Sequence, residues 1–279
     1  MSKGIHVEIL LDSVNPSGQR LVTWVLKYPR FVHAELMTHR QFSRNSSSSR
    51  AIPVSKLIRK IVKDPAMPVW WGKNQRGMAA RTELAGWRRW IAKQFWLWSR
   101  FPAILLARMF MLVGLHKQIA NRILEPWMHI TVIMSTTTHA NWFALRDHPD
   151  AQPEIAVLAR QMRVALNQSR PTKRQHGEWH LPFVDKKEYM KYSLEECLKI
   201  STARCARVSY LTHDGKRSVK RDLKLHDHLI ASDPKHASPS EHQAMALNTA
   251  ERWGNFVGWK QYRKTLENEA ALEETYDGS

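Results

Sequence analysis

Acidic residues are scarce in this chain. Across 279 residues, 25 Asp and Glu stand against 43 Lys and Arg, a formal net charge of +18. A surplus of that size attracts anionic partners through the summed field of the surface. Nucleic acid and phosphorylated small molecules both qualify, and charge alone does not separate them. Cysteine is nearly absent. Cys197 and Cys205 are the only two, with no metal-ligand partners at useful spacing, and read as reduced thiols of a cytoplasmic protein. No His-Glu-x-x-His pattern occurs and no metal is expected. Neither Gly-x-Gly-x-x-Gly nor a Walker loop occurs, so a Rossmann site has no support. Residues 1–8 are polar, without the apolar core of a signal peptide. Residues 95–115 are the most apolar stretch, but Arg100 and Arg108 interrupt them before any uncharged run reaches spanning length. They read as a buried or interface helix, and no membrane partner is expected. No internal repeat is present.

What is there alternates between strand and helix signals. Residues 5–11 and 20–26 read as two strands joined by the turn formers Asn15, Pro16, Ser17 and Gly18. Helical patterns cover residues 30–37, 57–62, 79–99, 104–119, 127–143, 150–166, 194–210, 219–230, 241–250 and 259–267. Residues 38–50, THRQFSRNSSSSR, are polar and basic and read as a loop. Guanidinium groups grip phosphate as a rigid fork, and Ser and Asn can read oxygens and ring edges. A solvated basic loop has the same composition. Residues 86–100 also have two readings. Trp87, Trp90 and Trp98 with Arg88, Arg89 and Arg100 could stack and neutralise single-stranded nucleic acid. They could equally pack a core and subunit-interface helix whose arginines reach solvent.

The spacing within residues 38–50 resembles the signature of the flavin-dependent thymidylate synthases: Arg-His-Arg, two variable residues, Ser, one variable, Asn, two variable, Ser, one variable, Arg. His39, Arg40, Ser43, Asn45, Ser48 and Arg50 fit, and Thr38 stands where the first arginine is expected. Other segments resemble the family too. They are NRILEP at 121–126, NWFALRDHPDAQPEI at 141–155, ARCARVSY at 203–210 and HASPSEH at 236–242. The last two follow the arginine-rich loop here, whereas the common family order places them before it, so the chain looks like a rearranged branch.

The resemblance implies an α/β fold, helix-rich with a small mixed sheet and not Rossmann. It implies one catalytic domain over residues 1–279, with 65–100 a helical insertion and 269–279 a frayed acidic tail. It implies conversion of dUMP to dTMP, with 5,10-methylenetetrahydrofolate as carbon donor, FAD as hydride donor and NADPH as reductant. Arg146 and Ser48 become the catalytic candidates, Arg146 by stabilising negative charge on the uracil ring. Glu35, Ser48, Arg50, Arg122 and Arg146 would contact the nucleotide. His39, Arg40, Asn45, Asn141, His236 and His242 would face the flavin. Glu35 replaces a glutamine usual at its position, and a carboxylate there needs a cationic partner. The family's flavin lies across subunit boundaries, so a homotetramer is expected, with no cysteine nucleophile. Two alternatives remain: a dUMP 5-hydroxymethylase on the same fold, and a basic nucleic-acid-binding protein.

Overall fold

The computed structural model describes residues 4–210, 218–267 and 269. Its organising element is a mixed five-stranded sheet. β1 (His6–Val14) and β2 (Arg20–Pro29) form the expected hairpin. Its turn closes where the Asn15 side chain accepts the Gln19 N–H at 2.7 Å and Gly18 takes a φ of +81°, open to glycine without strain. β3 (Ser43–Ser46) and β4 (His129–Thr136) add on the β2 side, and β5 (Thr172–Lys173) pairs parallel to β1. The order is β3-β4-β2-β1-β5.

Helices cover both faces. α1 (His33–Met37) leads into the arginine-rich segment, and α2 (Val54–Lys63) follows it. α3 (Gly86–Trp98), α4 (Arg100–Leu112) and α5 (Lys117–Ala120) precede β4. α6 (Ala140–Arg146) and α7 (Pro153–Gln168) come next. Ile155, Leu158, Ala159 and Met162 of α7, at helical spacing, pack on Val22, Trp24 and Leu26 of β2 and Val132 and Met134 of β4. α8 (Lys186–Lys191), α9 (Leu194–Tyr210) and α10 (Val219–Ala231) complete the helices. Cys205 and Val208 of α9 cover the opposite face through Ile133. A second core gathers Leu57, Ile58 and Ile61 of α2 with Ile104 and Ala107 of α4 and Trp127. The fold is thus helix-rich α/β with small sheets.

A second sheet of three short strands has β6 (Trp179–His180), β7 (Ala244–Ala246) and a closing strand at Trp259–Gln261. It meets the large sheet through buried polar side chains. His180 Nδ1 lies 2.9 Å from Ser13 Oγ and Nε2 2.8 Å from Thr23 Oγ1. Thr23 Oγ1 meets Ser135 Oγ at 2.7 Å, and Ser135 meets His242 Nδ1 at 2.8 Å.

Several expectations are corrected. Residues 129–136 form a central strand rather than the middle of a helix, because their run of Ile, Thr and Val suits a pleated, buried surface. The loop at 38–50 contains β3, which β4 recruits by hydrogen bonding. Residues 241–250 and 259–267 contribute β-strands where helices were expected. Helix α3 begins only at Gly86 rather than at residue 79, and α4 begins already at Arg100, with Pro102 in its first turn. The acidic tail beyond Glu269 lies outside the described residues.

Candidate active site

Helix α1 leaves carbonyl groups without intrahelical partners at its C-terminal end. Arg44, on β3, serves them. Its Nη1 donates to the carbonyls of Leu36, Met37 and His39 at 3.2, 3.0 and 3.1 Å. The turn between helix and strand is thereby held back on β3, and His39 is fixed in place. The His39 ring stacks on Phe42 and meets Trp142 edge-on, with centroids 4.8 Å apart.

Arg146, at the end of α6, closes this arrangement across 107 residues of sequence. Its Nε donates to His39 Nε2 at 3.0 Å and its Nη2 to Thr38 Oγ1 at 3.1 Å. An imidazole nitrogen that accepts from a guanidinium carries no proton, so His39 is neutral with its hydrogen on Nδ1. Burial, and then the charges of Arg146 and Arg44, hold the His39 pKa below its ordinary value. Thr38 Oγ1 also donates to the Glu35 carbonyl at 2.7 Å. A hydroxyl at position 38 can thus give one hydrogen bond and accept another. An arginine there would set a second guanidinium against that of Arg146. Glu35 lies within the field of the same arginine. Burial raises its pKa, Arg146 opposes that and Glu154 adds to it, and its Oε2 is buried without a hydrogen-bond partner among the described residues.

Thr38, His39, Arg40, Asn141, Trp142 and Arg146 line a cavity of about 310 Å³, with Thr138 and Gln41 bonded across its rim at 2.9 Å. Its polar wall carries two guanidinium groups, those of Arg40 and Arg146, beside the Asn141 amide. That chemistry suits an anionic ligand with a flat, hydrogen-bonding ring.

A second group of expected residues lies past the far end of β3, separated from His39 by a four-residue strand, roughly 13 Å. Ser48 caps a short 3-10 turn by accepting the Arg50 N–H at 3.3 Å, and Arg50 is exposed. Asn121 Nδ2 donates to the carbonyls of Ser49 and Ile52, both at 2.8 Å, which pins this turn to residues 121–126. Glu125 gathers the hydroxyl of Ser49 and the guanidinium groups of Arg30 and Arg122 at 2.9, 3.1 and 3.0 Å. Arg122 is otherwise open to solvent.

The remaining expected residues are elsewhere. His242 is fully buried, with Nε2 3.2 Å from the Asn45 side-chain amide, and burial alone lowers its pKa to about 3. Asn45 therefore points inward from β3. His236 is exposed, and its backbone N–H donates to the Leu229 carbonyl at 3.0 Å. The two cysteines are buried and burial raises both pKa values. In 203–210, Arg204 bridges Glu188 at 2.6 Å and Asp222 at 3.0 Å, and the side chains of residues 209 and 210 lie outside the described residues. Among the described residues no three His, Cys, Asp or Glu side chains converge as a metal site. Sequence reasoning missed Arg44, Phe42 and Trp142 as the framework of the site. Trp142 sat beside Asn141 in a quoted motif, but nothing local marks an aromatic ring as a wall for His39.

No family model matches the chain, and no curated protein matches it. Among solved structures it is similar to a UMP/dUMP methylase from Streptomyces cacaoi. With 5-Br dUMP bound, that enzyme aligns at 16% identity and a TM-score of 0.48 over 59% of this chain and 90% of the methylase. With 5-Br UMP bound, the identity is 17% and the TM-score 0.48, over 59% and 89% of the two chains.

Proposed function

We propose that this chain is a flavin-dependent thymidylate synthase, converting dUMP to dTMP with 5,10-methylenetetrahydrofolate as carbon donor and NADPH as reductant. The observation that carries the reading is the convergence of two separately matched segments. The arginine-rich segment and the segment from Asn141 to Arg146 wall one cavity, and Arg146 bonds to both Thr38 and His39. A solvated basic loop has no reason to do this.

The lining fits part of a phosphate-bearing or flat heteroaromatic group, through Arg40, Arg146 and Asn141. At about 310 Å³ the cavity is at the small end for a ligand site. One chain therefore holds only a portion of its ligands, and other copies, in a homotetramer, complete the site. The bound reduced flavin would supply the hydride that takes the transferred carbon to a methyl group.

The chain's own residues bind and orient. Arg146 stabilises negative charge developing on the uracil ring, from a position fixed by Thr38 and His39. Neutral His39 adds no further positive charge beside that guanidinium. Ser48, Arg50 and Arg122 form the nucleotide side, with Arg122 set by Glu125. Glu35 belongs to the nucleotide side through Arg146, whose charge acts on its carboxylate. Arg40, Asn141 and His236 face the cofactor. Asn45 and His242 act from behind, holding β3 against the second sheet. The whole chain serves as one catalytic domain, with residues 65–100 inserted.

The test is mass spectrometry of the nucleotide after incubating purified protein with FAD, NADPH, methylenetetrahydrofolate and dUMP. A gain of one methyl group supports the proposal. A hydroxymethyl product replaces it with the hydroxymethylase. No product and no retained flavin would discard both and favour a nucleic-acid-binding protein.

A further inference from the structure

Helices α3 and α4 follow each other through Ser99 as a 27-residue helical path, Gly86–Leu112. It is long and apolar enough to cross a membrane, yet only 11% of its most apolar window is buried. At roughly 100° per residue, Trp96, Ala103, Ala107 and Phe110 share one side, and these pack on the α2 core. The opposite side carries Trp87, Trp98, Leu105, Met109 and Leu112, which are 50–86% exposed. An apolar strip of this length on a protein surface marks a contact site.

Charge selects the partner. Between residues 65 and 120 the sequence has nine Lys and Arg and a single acidic residue, Glu83. Glu83 is already paired with Arg89 at 3.2 Å. Arg88 sits over the Trp87 ring, 5.5 Å from its centroid. A second copy docked on this strip would bring two cationic segments together. An anionic bilayer instead offers acyl chains to the strip and headgroups to its flanks. One side of the helix is fastened to the protein core, so it lies along the surface rather than crossing it.

We infer that the outer side of Gly86–Leu112 docks on the surface of an anionic phospholipid membrane. The inference is independent of the reaction at the cavity.

The experiment is co-sedimentation of the full chain with phosphatidylcholine vesicles and with vesicles also containing phosphatidylglycerol. About tenfold or greater enrichment on the anionic vesicles is expected, weakening with added salt. The triple variant Trp98→Gln, Leu105→Gln, Met109→Gln should lose it while keeping the wild-type circular-dichroism melt. The pair Arg88→Glu, Lys93→Glu should lose it without removing apolar surface, and serves if the triple variant is unfolded. Equal weak partitioning onto both vesicle types overturns the inference. So does full binding by both variants. Absence of vesicle binding, with a wild-type oligomer that the triple variant dissociates, also overturns it and assigns the strip to a second copy of the chain.

Discussion

The sheet and the Gly86–Leu112 helix invert the usual distribution of side chains in opposite ways. On the α9 side of the sheet, hydroxyls, imidazoles and amides are buried. On the helix, tryptophans, leucines and methionines face out. The buried polar groups are tolerable because they satisfy one another: Ser13, His180, Thr23, Ser135, His242 and Asn45 form one hydrogen-bonded row. The exposed apolar groups have no counterpart among the described residues. A closed polar network is a completed structure, whereas an open apolar strip is half of an interface.

Breaking the closed network should give the largest effect. His242→Leu leaves Ser135 and Asn45 without their ring partner and should destabilise the protein by roughly 3 kcal/mol, measured by chemical denaturation. The same histidine makes stability depend on pH. Burial lowers His242 to about 3 and His139 to about 4, against an ordinary value of 6.5. Between these values the unfolded chain binds more protons than the folded one, so stability is complete above about 6.5 and falls as the pH drops toward 3. A denaturation series across that range should show a shallower slope for His242→Gln, and an unchanged slope would place the titrating groups elsewhere.

Arg146, at the cavity wall, sharpens the contrast, because its loss should affect chemistry more than folding. Under the proposed reaction, Arg146→Ala should lower turnover about a hundredfold, while removing a charge that depresses His39, whose pKa should rise by NMR titration. A loss of turnover with no movement of His39 would separate the two residues functionally. The smallest effect belongs to the open strip. Leu105→Gln should change stability by no more than about 0.5 kcal/mol, since Leu105 is 60% exposed. A larger loss in thermal unfolding would mean that the strip is covered within an assembly of the chain.

Local signals sufficed where the chain's own neighbours decide the structure. The β1–β2 hairpin followed from its Asn-Pro-Ser-Gly turn, and α7, α9 and α10 from helical spacing. They failed for β4, whose Ile, Thr and Val run gives no clear period and whose state depends on partners more than 80 residues away in β2 and β3. They failed again for β3, built from Ser, Arg and Asn, which is a strand because β4 presents an edge to it. In the candidate site, His39, Arg40, Asn141 and Arg146 were legible by spacing, but their joining in one wall was not.

The sequence by itself determined the charge, the hairpin, the amphipathic helices and the spacing of the arginine-rich segment, since each depends on residues within a few positions of one another. Tertiary structure alone decided that Arg146 bonds His39, that Arg44 caps α1 and that His242 is sealed inside while His39 stays at a cavity edge. It also decided that no described residue covers one side of Gly86–Leu112. Those outcomes depend on which distant groups satisfy a buried donor, acceptor or apolar face, and packing alone brings such groups together.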